Sequence, residues 1–100
     1  DRVKDLIIVS GFNVFPAEVE GVLGAHPDIA EVVVVGTPHP HTGEAVRAYV
    51  VARNGVHLDE DAIIDYCRTK LARYKCPSKV LFVDALPRNL TGKVQRFALR

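Results

Sequence analysis

The chain of 100 residues contains no methionine, no tryptophan and only two cysteines. Each scarcity excludes something. Cys67 and Cys76 have neither C-x-x-C spacing nor a neighbouring set of His and Cys, so no disulfide framework and no structural metal site is indicated, and a reducing, cytoplasmic setting is the expectation. Thirteen Lys and Arg against 12 Asp and Glu leave a formal charge of +1. That balance lacks the cationic excess of a nucleic-acid binder or a polybasic membrane patch. No apolar run reaches the roughly 18–20 residues of a membrane span, and Asp1-Arg2-Val3-Lys4-Asp5 has no signal-peptide layout, so neither secretion nor a transmembrane segment is predicted. The missing methionine predicts a piece of a longer translation product, whose function belongs to a larger parent. What is present, 48% hydrophobic and 25% charged residues with 7 Gly and 6 Pro, describes an ordinary globular domain with one core.

Leu6-Ile7-Ile8-Val9 is a β-branched run closed by Ser10-Gly11, which predicts a strand entering a turn, followed by a small loop at Gly11-Phe12-Asn13. Pro16 suits the first position of a helix; Glu18 and Glu20 suit its positive end, Val19, Val22 and Leu23 form its apolar stripe, and Gly24 stops it. Val32 to Val35 predicts a strand buried on both faces and Ala45 to Ala52 a second one. The connection Pro38 to Gly43 is short enough to make them antiparallel. Asp59 is the expected N-cap of a second helix with acidic residues at its start, basic ones at its end, and Ile63, Cys67 and Leu71 along its buried side. Pro77 ends that segment. Lys79 to Val83 is the last strand, followed by the loop Pro87 to Lys93 and a terminal helical pattern. The expected fold class is α+β: a small mixed sheet packed with helices in the order strand-helix-strand-strand-helix-strand-loop-helix, similar to a split βαβ ferredoxin-like sandwich. Such a pattern names no activity, and a non-catalytic regulatory or protein-interaction module has the same outline.

Chemistry is therefore sought in the loops. Thr91-Gly92 places a joint directly before Lys93, an arrangement that can aim an ammonium at a phosphate or carboxylate of another surface, although a solvated turn lysine has the same appearance. The spaced glycines of a P-loop are missing. Ser10-Gly11-Phe12-Asn13 permits close backbone approach by a thin ligand, or is simply a hairpin turn with Gly at positive φ. His39 and His41 have only Glu44 nearby as a further metal ligand and read as solvated loop residues. Arg68, Lys70, Arg73 and Lys75 form a basic end to the second helix that completes its dipole and can also hold a phosphate.

The stretch from Arg2 to Glu20 closely resembles the hinge-and-loop motif of adenylate-forming acyl-CoA synthetases, and Pro87 through Lys93 resembles the PxxxxGK motif of their C-terminal domain. Between them, Gly36-Thr37-Pro38 to Gly43-Glu44 and Leu71-Ala72-x-Tyr74-Lys75-x-Pro77 match in order, so the resemblance covers the whole chain. The wording Asn13-Val14-x-Pro16-Ala17-Glu18-Val19-Glu20 looks like that of CoA ligases for fatty or aromatic acids rather than of carrier-protein adenylation domains.

The resemblance implies that residues 1–100 are a mobile C-terminal lid beginning at the interdomain hinge, with the ATP- and acyl-binding N-terminal domain outside this sequence as its partner. Such enzymes use Mg2+ and ATP to convert a carboxylic acid into an acyl-adenylate and then pass the acyl group to CoA; a fatty acid is the expected substrate. By motif match, Lys93 would be the catalytic lysine, Arg2 a nucleotide contact, and Lys4 the hinge. Ser10, Gly11 and Phe12 would border the pantetheine tunnel, while Arg68 and Lys75 are weaker candidates for CoA phosphates. His39 and His41 inherit no role, no metal ligand is implied, and the domain alone is expected to be inactive.

Overall fold

A computed structural model describes residues 5–99. Its elements, in chain order, are β1 (Ile7–Val9), β2 (Phe12–Val14), α1 (Pro16–Gly24), β3 (Ile29–His39), β4 (Gly43–Ala52), α2 (Glu60–Arg68) and β5 (Lys79–Phe82), with short 3-10 turns at Arg73–Lys75 and Arg96–Leu99. Strand β4 is the centre of the sheet. It pairs antiparallel with β3 along its length, from Ile29↔Ala52 to His39↔Gly43. Its other edge is shared by β5, parallel to it, and by β1, which touches it at Val9↔Gly43. The sheet is thus mixed, and the α+β class holds. A ferredoxin-like order would seat the first strand between the hairpin and the last strand. Here β5 lies directly on β4, because α2 returns the chain as a parallel crossover.

One face of the sheet carries the core. Val46, Ala48 and Val50 alternate along β4, so all three point to the same side. There they meet Val34, Val80, Ile7 and Val14, and are covered by Val19 and Leu23 of α1 and Ile63 and Cys67 of α2. Val33 and Val35 are buried on the opposite face, as the continuous valine run predicts. The C-terminal turn lies against that strand, and Tyr49 Oη donates to Leu99 O at 2.9 Å. Helix α2 starts as expected, with the Asp59 carboxylate accepting from Ala62 N at 3.2 Å. Helix α1 has no side-chain cap; Pro16 at its start removes one of the donors a cap would serve.

Three further expectations change. Phe12–Val14 is a strand rather than a loop, since Ser10 (φ 50°) and Gly11 (φ 84°) form a two-residue turn of the left-handed kind that matches the twist of a hairpin. Leu71 lies beyond the end of α2, half-buried against the core from a turn. The terminal helix is a single 3-10 turn, because Val94 is still extended and bridged to Arg88, which leaves only Arg96–Leu99 to coil.

The outer edge of β3 is closed by side chains. Val34 N donates to Glu20 Oε2 at 2.8 Å and Val34 O accepts from Arg96 Nη1 at 2.7 Å. On the far side of the sheet, Val80 N of β5 donates to Glu60 Oε2 at 2.8 Å. Each helix therefore lends one glutamate to an outer strand.

Candidate functional site

Two loops carry most of the described residues singled out by the sequence, and β3 separates them. The first is the Ser10-Gly11 turn. Ser10 N donates to Thr42 O at 2.8 Å, which ties the turn to the β3–β4 connection. That connection is tightened by His39, whose Nδ1 accepts from His41 N at 3.1 Å and Thr42 N at 3.2 Å. Beneath it, Glu44 Oε1 accepts from Ile8 N at 2.8 Å. A pocket of about 180 Å³ opens beside the turn, lined by Val9, His39, Thr42, Arg73, Tyr74 and Cys76 among others. Phe12 is exposed at the rim and stacks on Tyr74 with ring centroids 5.0 Å apart. An exposed aromatic pair over a mostly apolar pocket, next to a glycine with an open surface, is suited to a thin organic chain.

The second loop runs from Pro87 to Gln95 and is not a loose joint. Asn89 Oδ1 accepts from Thr91 N, Thr91 Oγ1 and Lys93 N at 3.0, 2.7 and 2.9 Å. Asn89 N donates to Lys93 O at 2.9 Å, and Gln95 N closes the base by donating to Pro87 O at 2.8 Å. Gly92, at φ 86°, makes the reversal that this ring of bonds requires. Arg88 donates to Gly92 O at 2.8 Å and pairs with Glu31 of β3, so the hairpin is fastened to the body. Lys93 sits exposed on its exit arm.

The anchors of the two loops are far apart. Glu31 and His39 are separated by eight steps along β3, about 26 Å at roughly 3.3 Å per residue. The structure brings Ser10, Gly11 and Phe12 together with the Tyr74 segment and keeps the Lys93 hairpin at the other end of β3. Lys75 joins the first group, but its ammonium is engaged by Glu18 at 3.0 Å, and that hydrogen bond raises the amine above its ordinary range. Arg68 lies on the exposed side of α2, 3.6 Å from Asp65. Arg2 and Lys4 lie outside the described residues.

Residues 18–93 match the model of the AMP-binding enzyme C-terminal domain. The chain belongs to that family. Over all 100 residues it is 51% identical to a 3-[(3aS,4S,7aS)-7a-methyl-1,5-dioxo-octahydro-1H-inden-4-yl]propanoyl:CoA ligase of Rhodococcus jostii (strain RHA1), of which it spans 19%. It is 49% identical to the long-chain-fatty-acid–CoA ligase FadD13 of Mycobacterium tuberculosis (strain ATCC 25618 / H37Rv), all of the chain matching 20% of that protein. Among solved structures, ATP-bound MatB from Rhodopseudomonas palustris superposes with a TM-score of 0.95 at 46% identity, over 98% of this chain and 20% of that one. The chain thus spans about a fifth of the length of the curated relatives it matches. Both relatives are named as CoA ligases, so a non-catalytic regulatory module finds no support in them.

Within this AMP-binding C-terminal domain, several residues that hold the loops in place escaped the sequence reading. Glu44 fixes β1 against β4, Asn89 shapes the lysine hairpin, and Glu20 with Arg96 fastens the chain just beyond that hairpin. For Asn89 a signal existed: an Asn two residues before Thr-Gly is the pattern of a side chain folding its own turn. Glu20 and Arg96 meet only through the tertiary fold. The two cysteines are buried in the core, where loss of hydration and then the neighbouring Cys76 push the Cys67 thiol up to about 12. Burial raises Cys76 as well, opposed by the hydrogen bond with Cys67 and the charge of Arg68. Both are therefore neutral packing residues. Among the described residues, no group of three His, Cys, Asp or Glu could hold a metal ion, and no helix is long and apolar enough to cross a membrane.

Proposed function

We propose that this domain is the mobile C-terminal lid of an ATP-dependent acyl-CoA ligase, which activates a carboxylic acid, a fatty acid by preference, as its acyl-adenylate and transfers it to CoA. The observation that supports this best is the placement of the lysine hairpin and the Ser10–Phe12 turn at opposite ends of one rigid strand, so that each can serve one half-reaction. In the first, the Lys93 ammonium reaches the acid carboxylate and the α-phosphate and offsets the charge that builds as they join. Arg2 contacts the nucleotide. Rotation about Lys4 then withdraws the hairpin and brings up the turn, where Gly11, lacking a side chain, with Ser10 and Phe12 beside it, borders the passage of the pantetheine arm. The 180 Å³ pocket and the Phe12–Tyr74 pair adjoin that passage. Arg68 is left as an outlying contact for CoA phosphates, and Lys75 serves only by releasing Glu18. Mg2+ supplies charge neutralisation at the ATP phosphates and belongs to the part of the ligase beyond this domain, as does the acyl pocket.

The test uses the full-length ligase and assays each half-reaction in single turnover. Lys93→Ala is expected to slow acyl-adenylate formation by about 10²–10³-fold, the loss typical of one preorganised charge-stabilising donor. Thioester formation from supplied acyl-adenylate should stay within a few-fold of the native rate. Lys4→Pro, which fixes φ near −65° and removes a backbone donor, is expected to do the reverse. Equal losses in both half-reactions for both variants would refute the alternation, and appreciable ATP–pyrophosphate exchange by the 100-residue domain alone would refute the lid assignment.

A further inference from the structure

Beyond the exit arm of the lysine hairpin, Arg96 gathers three groups, through four of their oxygens, from three other segments. Its Nη1 donates to Val34 O at 2.7 Å and to Glu20 Oε2, its Nη2 approaches Glu20 Oε1 at 3.4 Å, and its Nε lies 3.4 Å from Asp5 Oδ2. The same Glu20 oxygen accepts from Val34 N at 2.8 Å. These are not two long side chains meeting in open water: the Arg96 and Glu20 side chains are only 26% and 20% exposed, and both are bonded to the backbone of β3 as well as to each other. A planar guanidinium held on both of its amino groups has its orientation fixed, unlike a lysine in the same place. Gln95, whose N–H closes the hairpin on Pro87 O, is the next residue back along the chain, so the position of Arg96 sets that of the arm carrying Lys93. Asp5 adds the segment that follows Lys4 to the same cluster.

We infer that Arg96 is a positioning residue for adenylation: with Glu20 it locks the exit arm of the lysine hairpin to β3 and α1, and so fixes where the Lys93 backbone stands when that face is docked. The inference rests on the proposed role of Lys93. Release of the arm leaves Lys93 in its hairpin and the hairpin fastened at Arg88 but not at Arg96, so that the Lys93 backbone shifts, and a misplacement of about 1 Å costs on the order of 10²-fold in a reaction that depends on orientation.

The experiment compares Lys93→Ala, Arg96→Ala, Arg96→Lys, Glu20→Gln and the double variant Lys93→Ala/Arg96→Ala in the full-length ligase, with both half-reactions and the melting temperature measured for each. Arg96→Ala is expected to lower acyl-adenylate formation by about 10–100-fold while thioester formation from supplied acyl-adenylate stays within a few-fold. Arg96→Lys should fall between native and alanine, because one nitrogen cannot stand at the separate positions from which Nε, Nη1 and Nη2 reach Asp5, Val34 O and Glu20. Glu20→Gln keeps an oxygen for Val34 N and loses the charge that holds Arg96, so it repeats the test in a variant whose β3 edge remains capped. In the double variant, Arg96→Ala should add no further loss of adenylation to that of Lys93→Ala, which a purely structural role would not produce. If Lys93→Ala cripples adenylation but Arg96→Ala and Glu20→Gln depress both half-reactions alike or neither, the positioning role falls and the lid reading stands. If Lys93→Ala spares adenylation, both fall.

Discussion

Gly36 lies in the middle of β3, opposite Val46, where a strand ordinarily carries a side chain. A Cβ built there would stand 2.9 Å from Glu44 Oε2 and 3.1 Å from both Cγ1 and Cγ2 of Ile7. The Glu44 carboxylate could swing aside, but its other oxygen holds Ile8 N at 2.8 Å, so moving it releases β1. Ile7 is fully buried and has no room to retreat. Gly36→Ala therefore adds an overpacking cost of about 1–3 kcal/mol to the loss of an exposed, charge-assisted hydrogen bond worth about 1 kcal/mol. The alanine returns about 0.4–1 kcal/mol by restricting the unfolded chain. The net destabilisation is about 2 kcal/mol, a fall in melting temperature of roughly 8–16 °C for a domain of this size. Gly21, in the middle of α1 with nothing within 4 Å of its own hypothetical Cβ, supplies the control. Gly21→Ala should stabilise by about 0.5–1 kcal/mol. Thermal and urea unfolding of the 100-residue domain, followed by circular dichroism, measures both. The reasoning is refuted if Gly36→Ala unfolds within about 0.5 kcal/mol of the native domain, the margin of an ordinary surface substitution.

Asn89→Ala removes the acceptor shared by Thr91 and Lys93, and amide exchange at both residues should accelerate about tenfold, the equivalent of one net hydrogen bond, with exchange in β3 and β4 unchanged; unaltered protection at Lys93 would show that Asn89 does not shape the hairpin. The buried thiols set an alkaline limit: Cys67 ionises near 9.0 in the unfolded chain and about 12 in the folded one, so above pH 9 the unfolded state binds fewer protons and stability falls. The slope should approach about 1.4 kcal/mol per pH unit, and urea midpoints at pH 7 and pH 10 should lie closer together in Cys67→Ala than in the native domain and converge in Cys67→Ala/Cys76→Ala, since the Cys76 thiol is raised as well; an equal alkaline loss in the double variant would place the effect elsewhere.

The parts of this domain that could be read in advance are those governed by local composition. Val32 to Val35 declares a strand covered on both sides, and Asp59 declares the start of α2 through its own carboxylate. Strand β2 was hidden because Phe12-Asn13-Val14 has three residues and an Asn at its centre; only its pairing with β1 across the Ser10-Gly11 turn makes it a strand. The terminal segment shows the opposite failure. Its apolar and basic residues recur at helical spacing, yet the hairpin bridge to Arg88 keeps it extended through Val94, and the distant Val34 carbonyl then holds Arg96 at the start of a single 3-10 turn. Of the residues proposed for the site, Ser10, Gly11 and Lys93 sit in a turn and beside a glycine, which are local patterns that neighbouring residues declare. The partners that hold them, Thr42, Glu31 and Glu20, are set by the register of β3 against β4 and by the docking of α1, neither of which leaves a mark on neighbouring residues.

The two glutamates that close the sheet bear on how this domain meets other proteins. Val34 on one flank and Val80 on the other have their outward N–H groups occupied, and at Val34 the carbonyl is occupied too. A visiting strand would have to displace a carboxylate before making its first ladder bond, and on the β3 side an arginine as well. Growth of the sheet by strand addition is thereby blocked at those points on both flanks. Along β3 and β5 the domain is therefore poorly suited to pairing with a strand of another chain, which leaves its turns, pockets and side chains as its means of contact there.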